Sequence, residues 1–536
     1  MRNNISKKVI TLVVGMLLVG VSTSSAKPKK PSGGSVSGDL LISKVFYNNM
    51  KDNEDKAFIM ANYIELYNNC ADTLDITGIY LGVADNTSTT SAQFSTAWTA
   101  TNMAEDHSGC IALKQVFQIP TETTRLLSPG ASLVICNSAL NHTTTASNAA
   151  DLSQADYEVK SQHKVYKDMH NDEVPELKLI WTNSETNTFL QFMSPGPFGL
   201  VLLAADTKLD TEDFYRGQTE GTKFKIVQAY KTIDAVDFVE HTVKTEPASS
   251  QKRMPDSYDA GFIATTSPGG NNGEALLRKT AFIASDGRKI LFDTNNSSVD
   301  FVVTTDLSIR KYSDEVSGMS ETTLVIPESG FTEVNFDKPF CGPKGVVFVH
   351  VNASNTASTT DLTYGEFPAD SMLLIKGPWI AVGKPGSYTL SLSESQGVMR
   401  TRSSIINWAD EDEKSVSQKD RMFYKFQNTK DNIGFQRVPA VEGSYNKATF
   451  SDGARLFIIV TNSIADKIAA ANGAVNHNDL EFISWHGIKP EAIADGIETV
   501  NVKADGKQQV FDLQGRRVNS NPRHGLYIVG GKKVVF

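Results

Sequence analysis

The chain has 536 residues, with 52 Lys and Arg against 61 Asp and Glu, a formal charge of −9 and four cysteines. That acidity, without a sustained basic run, argues against binding nucleic acid through its phosphates. So few cysteines exclude a disulfide framework as the main support of the fold, and the length is ample for several hydrophobic cores.

Residues 1–26 have the layout of an export signal. Arg2, Lys7 and Lys8 precede the apolar run VITLVVGMLLVGVS (9–22), and Ser24 and Ala26 occupy the small-residue positions before a cleavage point. The run is too short for a spanning helix, and no later stretch approaches the roughly 18 apolar residues that such a helix needs. No Cys follows the run, which argues against a lipid anchor. Loss of 1–26 removes three positive charges and takes the net charge from −9 to −12. KPKKPSGGSVSG (27–38) is expected to be a flexible linker.

From Asp39 the pattern becomes β. LLISKVFYN (40–48), YIELYN (63–68), ITGIYLGVA (76–84), ASLVICN (131–137) and FGLVLLAA (198–205) are short apolar runs separated by Gly, Pro, Asn and Asp. In LISKVFY and YIELYN the alternation predicts strands with one buried face, Ile64 and Leu66 inward and Glu65 on the other side. Asp75 with Gly78, and Pro129 with Gly130, suit tight turns. The polar stretches 85–125 and 138–175 are expected to be long loops, either ligand-carrying or merely decorative. Cys70, Cys110 and Cys136 are close enough in sequence for one bridge of undetermined pairing, and Cys341 is expected to be a buried free thiol.

GDLLISKVFYN, YIELYNNCADTLDITGIYLG, LLSPGASLVICNS, AVDFV and TTSPGGNN follow one another in the order of a lamin tail domain. The resemblance covers residues 39 to about 275, extending to about 312, and is to the exported bacterial version. It implies an immunoglobulin-like β-sandwich used as an interaction or attachment module. The fold class expected for the whole chain is all-β, with tandem β-sandwiches. The divisions are 39–312 for the lamin-tail-like unit, 313–495 for a second β-rich unit and 496–536 for a small β hairpin unit.

Within this frame, chemistry-bearing patterns are sparse. The nine histidines form neither H-x-H nor H-E-x-x-H, and no G-x-S-x-G elbow, phosphate-binding loop or dinucleotide fingerprint occurs. His163, His170, Asp168 and Asp172 share one loop, a cation site or simply a solvated polar segment. DTNNSSVD (293–300) sets Asp293, Asn295, Ser297 and Asp300 close together, hard oxygens of the kind calcium takes, and equally the residues that make turns. No other cofactor is expected, and no catalytic residue is assigned.

The second unit carries FVVTTDLSI (301–309), TTLVIPESGFTEVNF (322–336), KGVVFVHVNA (344–353), SMLLIKGPWIAVG (371–383) and GSYTLSLSE (386–394). A G-A-x-L-x-I hexad occurs at 130 and again at 453, which allows a diverged repeat. Trp379, Trp408 and Trp485 are core residues or a sugar platform. DEDEKSVSQKDR (410–421) is expected to be a charged connecting loop, and SIADKIAAANGAV (463–475) the best helix, with a Ser at its start.

The tail after the connector at 489–499 is expected to fold as two hairpins, with Asp505-Gly506 and Gly530-Gly531 at their tips. It resembles the C-terminal sorting domain of type IX secretion cargo. Val510, Asp512, Leu513, Gly515, Arg516 and Val518 match its first motif; Gly525, Tyr527, Ile528, Val529, Lys532 and Lys533 match its second. At about 40 residues it is shorter than that pattern. The resemblance implies the secretion machinery as a partner and the outer surface or the medium as destination, with the periplasm as alternative. The expected role is non-enzymatic, in binding, adhesion or envelope structure, with a glycan or an envelope or host protein as ligand. The alternative is a hydrolase carrying the lamin-tail-like unit as an accessory.

Overall fold

A computed structural model of the chain describes residues 28–33, 38–84, 110–183, 190, 196, 198–209, 214–215, 223–241, 252–256, 258–284, 286–316, 318–353, 362–367, 372–373, 376–394, 405–417, 421–429, 432–438, 445–449, 455–493 and four short strands beyond 509. The segment 1–26, expected to be an export signal, lies outside the described residues. The architecture is all-β and of sandwich type, as the alternating apolar runs predict.

Two large sheets form the first block. One runs in the order 157–158, 132–136, 63–68, 40–46, 275–278, 301–304. The other places 110–118 and 80–84 next to 198–203 and 232–239. Leu40, Ile42, Ile64, Leu66 and Ile135 from the first sheet meet Leu81, Phe117, Phe198, Leu200 and Phe238 from the second in one continuous core.

The expectation of a single buried face fails here. Leu40–Phe46 and Tyr63–Asn68 are buried at every residue, Glu65 and Lys44 included. The cause is an overlay on the outer side. Ala146, Ala149, Ala150, Leu152 and Val174, from the stretch expected to be a polar loop, cover Phe46, Tyr63, Val134 and Cys136. Glu65 accepts hydrogen bonds from Arg310 N at 2.8 Å and from the Tyr312 hydroxyl at 2.7 Å. Lys44 Nζ donates to the carbonyls of Asp306 and Ser308. A β-bulge between Ile42 and Lys44 swaps the inward parity, so that Val45 reaches the core and Lys44 the outer side.

Three other expectations change. Cys110–Gln118, part of the polar stretch 85–125 expected to be a loop, is a nine-residue strand in the second sheet, buried along nearly all its length. Residues 28–33, expected to be flexible, lie against the first block: Lys29 N donates to Thr73 O, Asp75 N to Lys29 O, and Lys29 Nζ pairs with Asp39. All four cysteines are free and buried, so no bridge joins Cys70, Cys110 or Cys136. Cys70 Sγ instead faces Asn68 Oδ1 and Asp72 O, and burial pushes its thiol up to about 12.

The second block is a three-layer stack. Its middle sheet, in the order 331–336, 377–383, 346–353, 362–367, is apolar on both faces with a two-residue period. Val346, Phe348, Trp379 and Ala381 face the sheet built on 319–326 and 386–393. Phe331, Val349, Ile380 and Val382 face the five-stranded sheet that contains 421–429 and 456–461. The predicted helix forms as Asn462–Ala471 and buries Ala465, Ile468 and Ala469 in that same core; its cap is Thr461, whose side chain accepts from Ile464 N, rather than Ser463. Within the expected charged loop, Glu413–Ser417 pairs with Tyr445–Thr449 as a two-stranded ribbon. The blocks touch where Ala281 and Phe292 pack on Cys341 and Met372.

Beyond 509, Leu526–Val529 and Lys532–Val535 pair antiparallel as the expected hairpin, whose Gly530-Gly531 tip lies outside the described residues, and Val510–Phe511 pairs with both Arg517–Val518 and the strand containing Tyr527. Asp505-Gly506 lies outside the described residues, as do Asp512, Leu513, Gly515, Arg516 and Gly525.

Candidate functional site

Two of the motifs quoted above, the asparagine ending VFYN and the closing PGGNN, lie far apart in sequence and meet in space. Asn271 N donates to Asn48 O at 2.7 Å, Gly273 N to Asn49 O at 3.1 Å, and Asn48 Nδ2 to Asn272 Oδ1 at 2.7 Å. Asn49 and Asn271 both adopt positive φ, at 56° and 62°, a conformation asparagine tolerates better than most residues. Glu274 secures the returning loop by accepting from Thr266 and Ser267 through backbone and hydroxyl groups.

This corner borders an open groove of about 780 Å³, walled by 50–51, 143–151, 271–273 and 305–309. That volume is in the range of small-ligand sites, about 300–1,000 Å³. The lining is mixed: Met50 and Leu307 are almost wholly buried and contribute an apolar floor, while Asn, Thr, Ser and Asp side chains form the walls. Side-chain hydrogen bonds from Lys311 and Ser308 hold the Asp306 carboxyl well below the usual carboxylate range. No wall residue was singled out from the sequence, because residues from four separated segments line the groove and the weak spacing signal was only the turn chemistry of PGGNN.

The segment 293–300 is built differently. Arg278, fully buried, donates from Nη2 to Asp234 at 2.7 Å and from Nη1 to Phe292 O at 2.8 Å; Asp293 and Asp300 lie 3.6 Å and 3.5 Å from Nη1. Asp300 also accepts from Thr294 N and Oγ1, while Ser297 N and Oγ donate to Asp259. The guanidinium therefore supplies the positive charge at these oxygens, and Asp293 and Asp300 converge on it while Ser297 turns to Asp259. Burial raises both Asp234, to about 7, and Asp300, to about 6, against the lowering effect of Arg278. Asn295 stands at positive φ, 52°, beside them.

His170 Nδ1 lies 3.5 Å from Glu158 Oε1, Asp172 is near Lys160, and His163 packs on Tyr166, so the histidines of that loop point to separate partners. Among the described residues, no group of three or more His, Cys, Asp or Glu is arranged to hold a metal ion. Of the tryptophans singled out above, Trp379 lies in one core, and Trp485 in another with Trp408 packed against it. Trp379 is sealed between sheets against Phe340 and His350, and Trp485 packs on Phe331 and Tyr364, its indole N–H donating to Ile488 O.

Residues 128–308 match the family model described as protein of unknown function (DUF4876), a span that includes two of the groove's four walls and all but Ile309 of a third. Among solved structures, the chain is similar to a DUF4876 family protein from Bacteroides thetaiotaomicron VPI-5482, at 18 % identity with a TM-score of 0.39, covering 50 % of this chain and 71 % of that one. None of the curated proteins matches the chain.

Proposed function

We propose that this protein is exported to the outer surface or the medium and works there as a non-enzymatic binding or adhesion module, receiving its ligand in the groove beside Asn271. The observation that carries this reading is the groove itself, an opening of about 780 Å³ at the corner of a sandwich whose two large sheets are packed on both faces. A rigid sheet pair with turns at its corner is a common way to hold binding residues in place. The ordered resemblance of 39–312 to a lamin tail domain supports an attachment role. The layout of 1–26 and the paired motifs of 510–533 support export with a sorting tail read by the secretion machinery. Among the described residues, no helix is long and apolar enough to cross a membrane.

The test is fractionation of native cells expressing the full chain or a chain lacking 496–536, with protease added to intact cells. The full chain is expected in the protease-sensitive surface fraction or the medium, and the truncated chain in the periplasm. A full chain that stays periplasmic sinks the surface role, and identical distributions in both strains sink the sorting role of the tail.

A further inference from the structure

We infer that the ligand of the groove is a neutral, hydroxyl-rich carbohydrate; this rests on the binding role proposed above. The reasoning starts from which lining groups are still available. The charged ones are engaged: Lys51 pairs with Asp55 at 2.7 Å, Asp306 with Lys311 at 2.6 Å, and Asp151 accepts from Asn141 Nδ2 at 3.1 Å and Ser153 N at 3.0 Å. Among the described residues, the side chains of Asn148, Asn271 and Thr305 line the groove and make no hydrogen bond. What the walls offer is therefore two amides, each donor and acceptor, and one hydroxyl, all uncharged.

Electrostatics narrow the class further. Asp151 and Asp306 line the same opening, and the chain as a whole carries −9, so phosphate, sulfate or carboxylate ligands meet a like-signed field, with no unpaired cation among the described lining residues to offset it. A neutral ligand escapes that penalty. Amides and hydroxyls match the alternating donor and acceptor character of sugar hydroxyls, and the Met50 and Leu307 floor matches the C–H faces between them. A bound peptide strand would call for an extended run of unpaired backbone. Here the walls are turns, loop ends and part of the short 3-10 helix His142–Thr144, apart from Met50–Lys51, which already pairs with Ala57–Phe58, and Asp151, which already bridges to Asn141. Among the described residues no aromatic ring lines the groove, so each single contact is weak. A multivalent display is accordingly the right probe.

The purified chain from residue 27 onward is applied to an array carrying neutral oligosaccharides, sulfated and uronic-acid glycans, and peptides. Retention on neutral oligosaccharides is expected. The combined variant Asn148→Ala, Asn271→Gly and Thr305→Ala should weaken it by about tenfold or more, the equivalent of one or two lost hydrogen bonds. Glycine at 271 keeps the positive φ while deleting the amide. Tyr230→Ala, exposed elsewhere on the first block, should leave binding unchanged. If the triple variant loses its native circular dichroism, the single change Thr305→Ala replaces it, with a smaller loss expected. Binding confined to anionic glycans or peptides overturns the inference, as does neutral-glycan binding that survives the groove changes. A chain that reaches the surface yet binds no neutral glycan overturns the ligand class alone; failure to reach the surface overturns the surface role itself.

Discussion

Arg278 and its three carboxylates show how a single side chain sets the state of its neighbours. Taking Asp234, Asp293 and Asp300 out of water is costly, and one guanidinium cannot neutralise all three. Asp234 therefore titrates near 7 in the folded protein, against about 3.9 in an unfolded chain. A proton held by the folded form and released on unfolding means that the contribution is fully favourable below about pH 4 and is lost as pH rises to about 7. Asp234→Asn keeps an oxygen for Arg278 Nη2 and Ile42 N but cannot ionise. Its stability relative to the parent, from urea unfolding at several pH values, is expected to rise steadily between pH 4 and 7. A flat difference would mean that Asp234 is already ionised throughout. Nothing in DTNNSSVD reveals this pairing, because Arg278 and Asp234 come from strands outside the motif.

At the scale of elements, periodicity served where one face of an element decides its burial, and misled where both faces are covered. The helix Asn462–Ala471 was legible because its alanines and isoleucines recur at three and four residues. Its start is set by Thr461, at the end of the strand Leu456–Thr461, rather than by the Ser at 463. Thr461→Ala is expected to cost about 1 kcal/mol in thermal or chemical unfolding, and Ser463→Ala much less; the reverse order would move the cap. The strand Cys110–Gln118 was illegible for the opposite reason. Lys114 and Gln115 look solvent-facing, yet both are buried among the second sheet's neighbours. Gly38 shows a constraint of a third kind, with φ at 51° and a Cβ that would sit 2.4 Å from Asp293 Oδ2, so the entry to the first strand is tied to the Arg278 cluster.

The whole molecule is a chain of stacked sheets rather than separate beads. Phe292, almost fully buried, joins Ala281 to Cys341 and Met372 across the junction of the blocks, and Asp293 N approaches Met372 Sδ at 3.4 Å. Phe292→Ala is expected to cost about 3–5 kcal/mol and to speed amide exchange both in Ala275–Arg278 and in Phe340–Cys341. Faster exchange on one side only would show that the junction transmits nothing. The groove belongs to this scale as well, since four segments spread over more than 250 residues of sequence build its walls. By itself the sequence determined the all-β class, most strand positions, the helix and the pairing of Leu526–Val529 with Lys532–Val535, because these depend on side-chain period and turn chemistry read locally. Only the tertiary structure decided that the outer faces of the first sandwich are covered, that Arg278 stands among the acidic oxygens and that Asn48 meets Asn271. Those outcomes depend on which distant surfaces come into contact, and a local pattern carries no record of its partner.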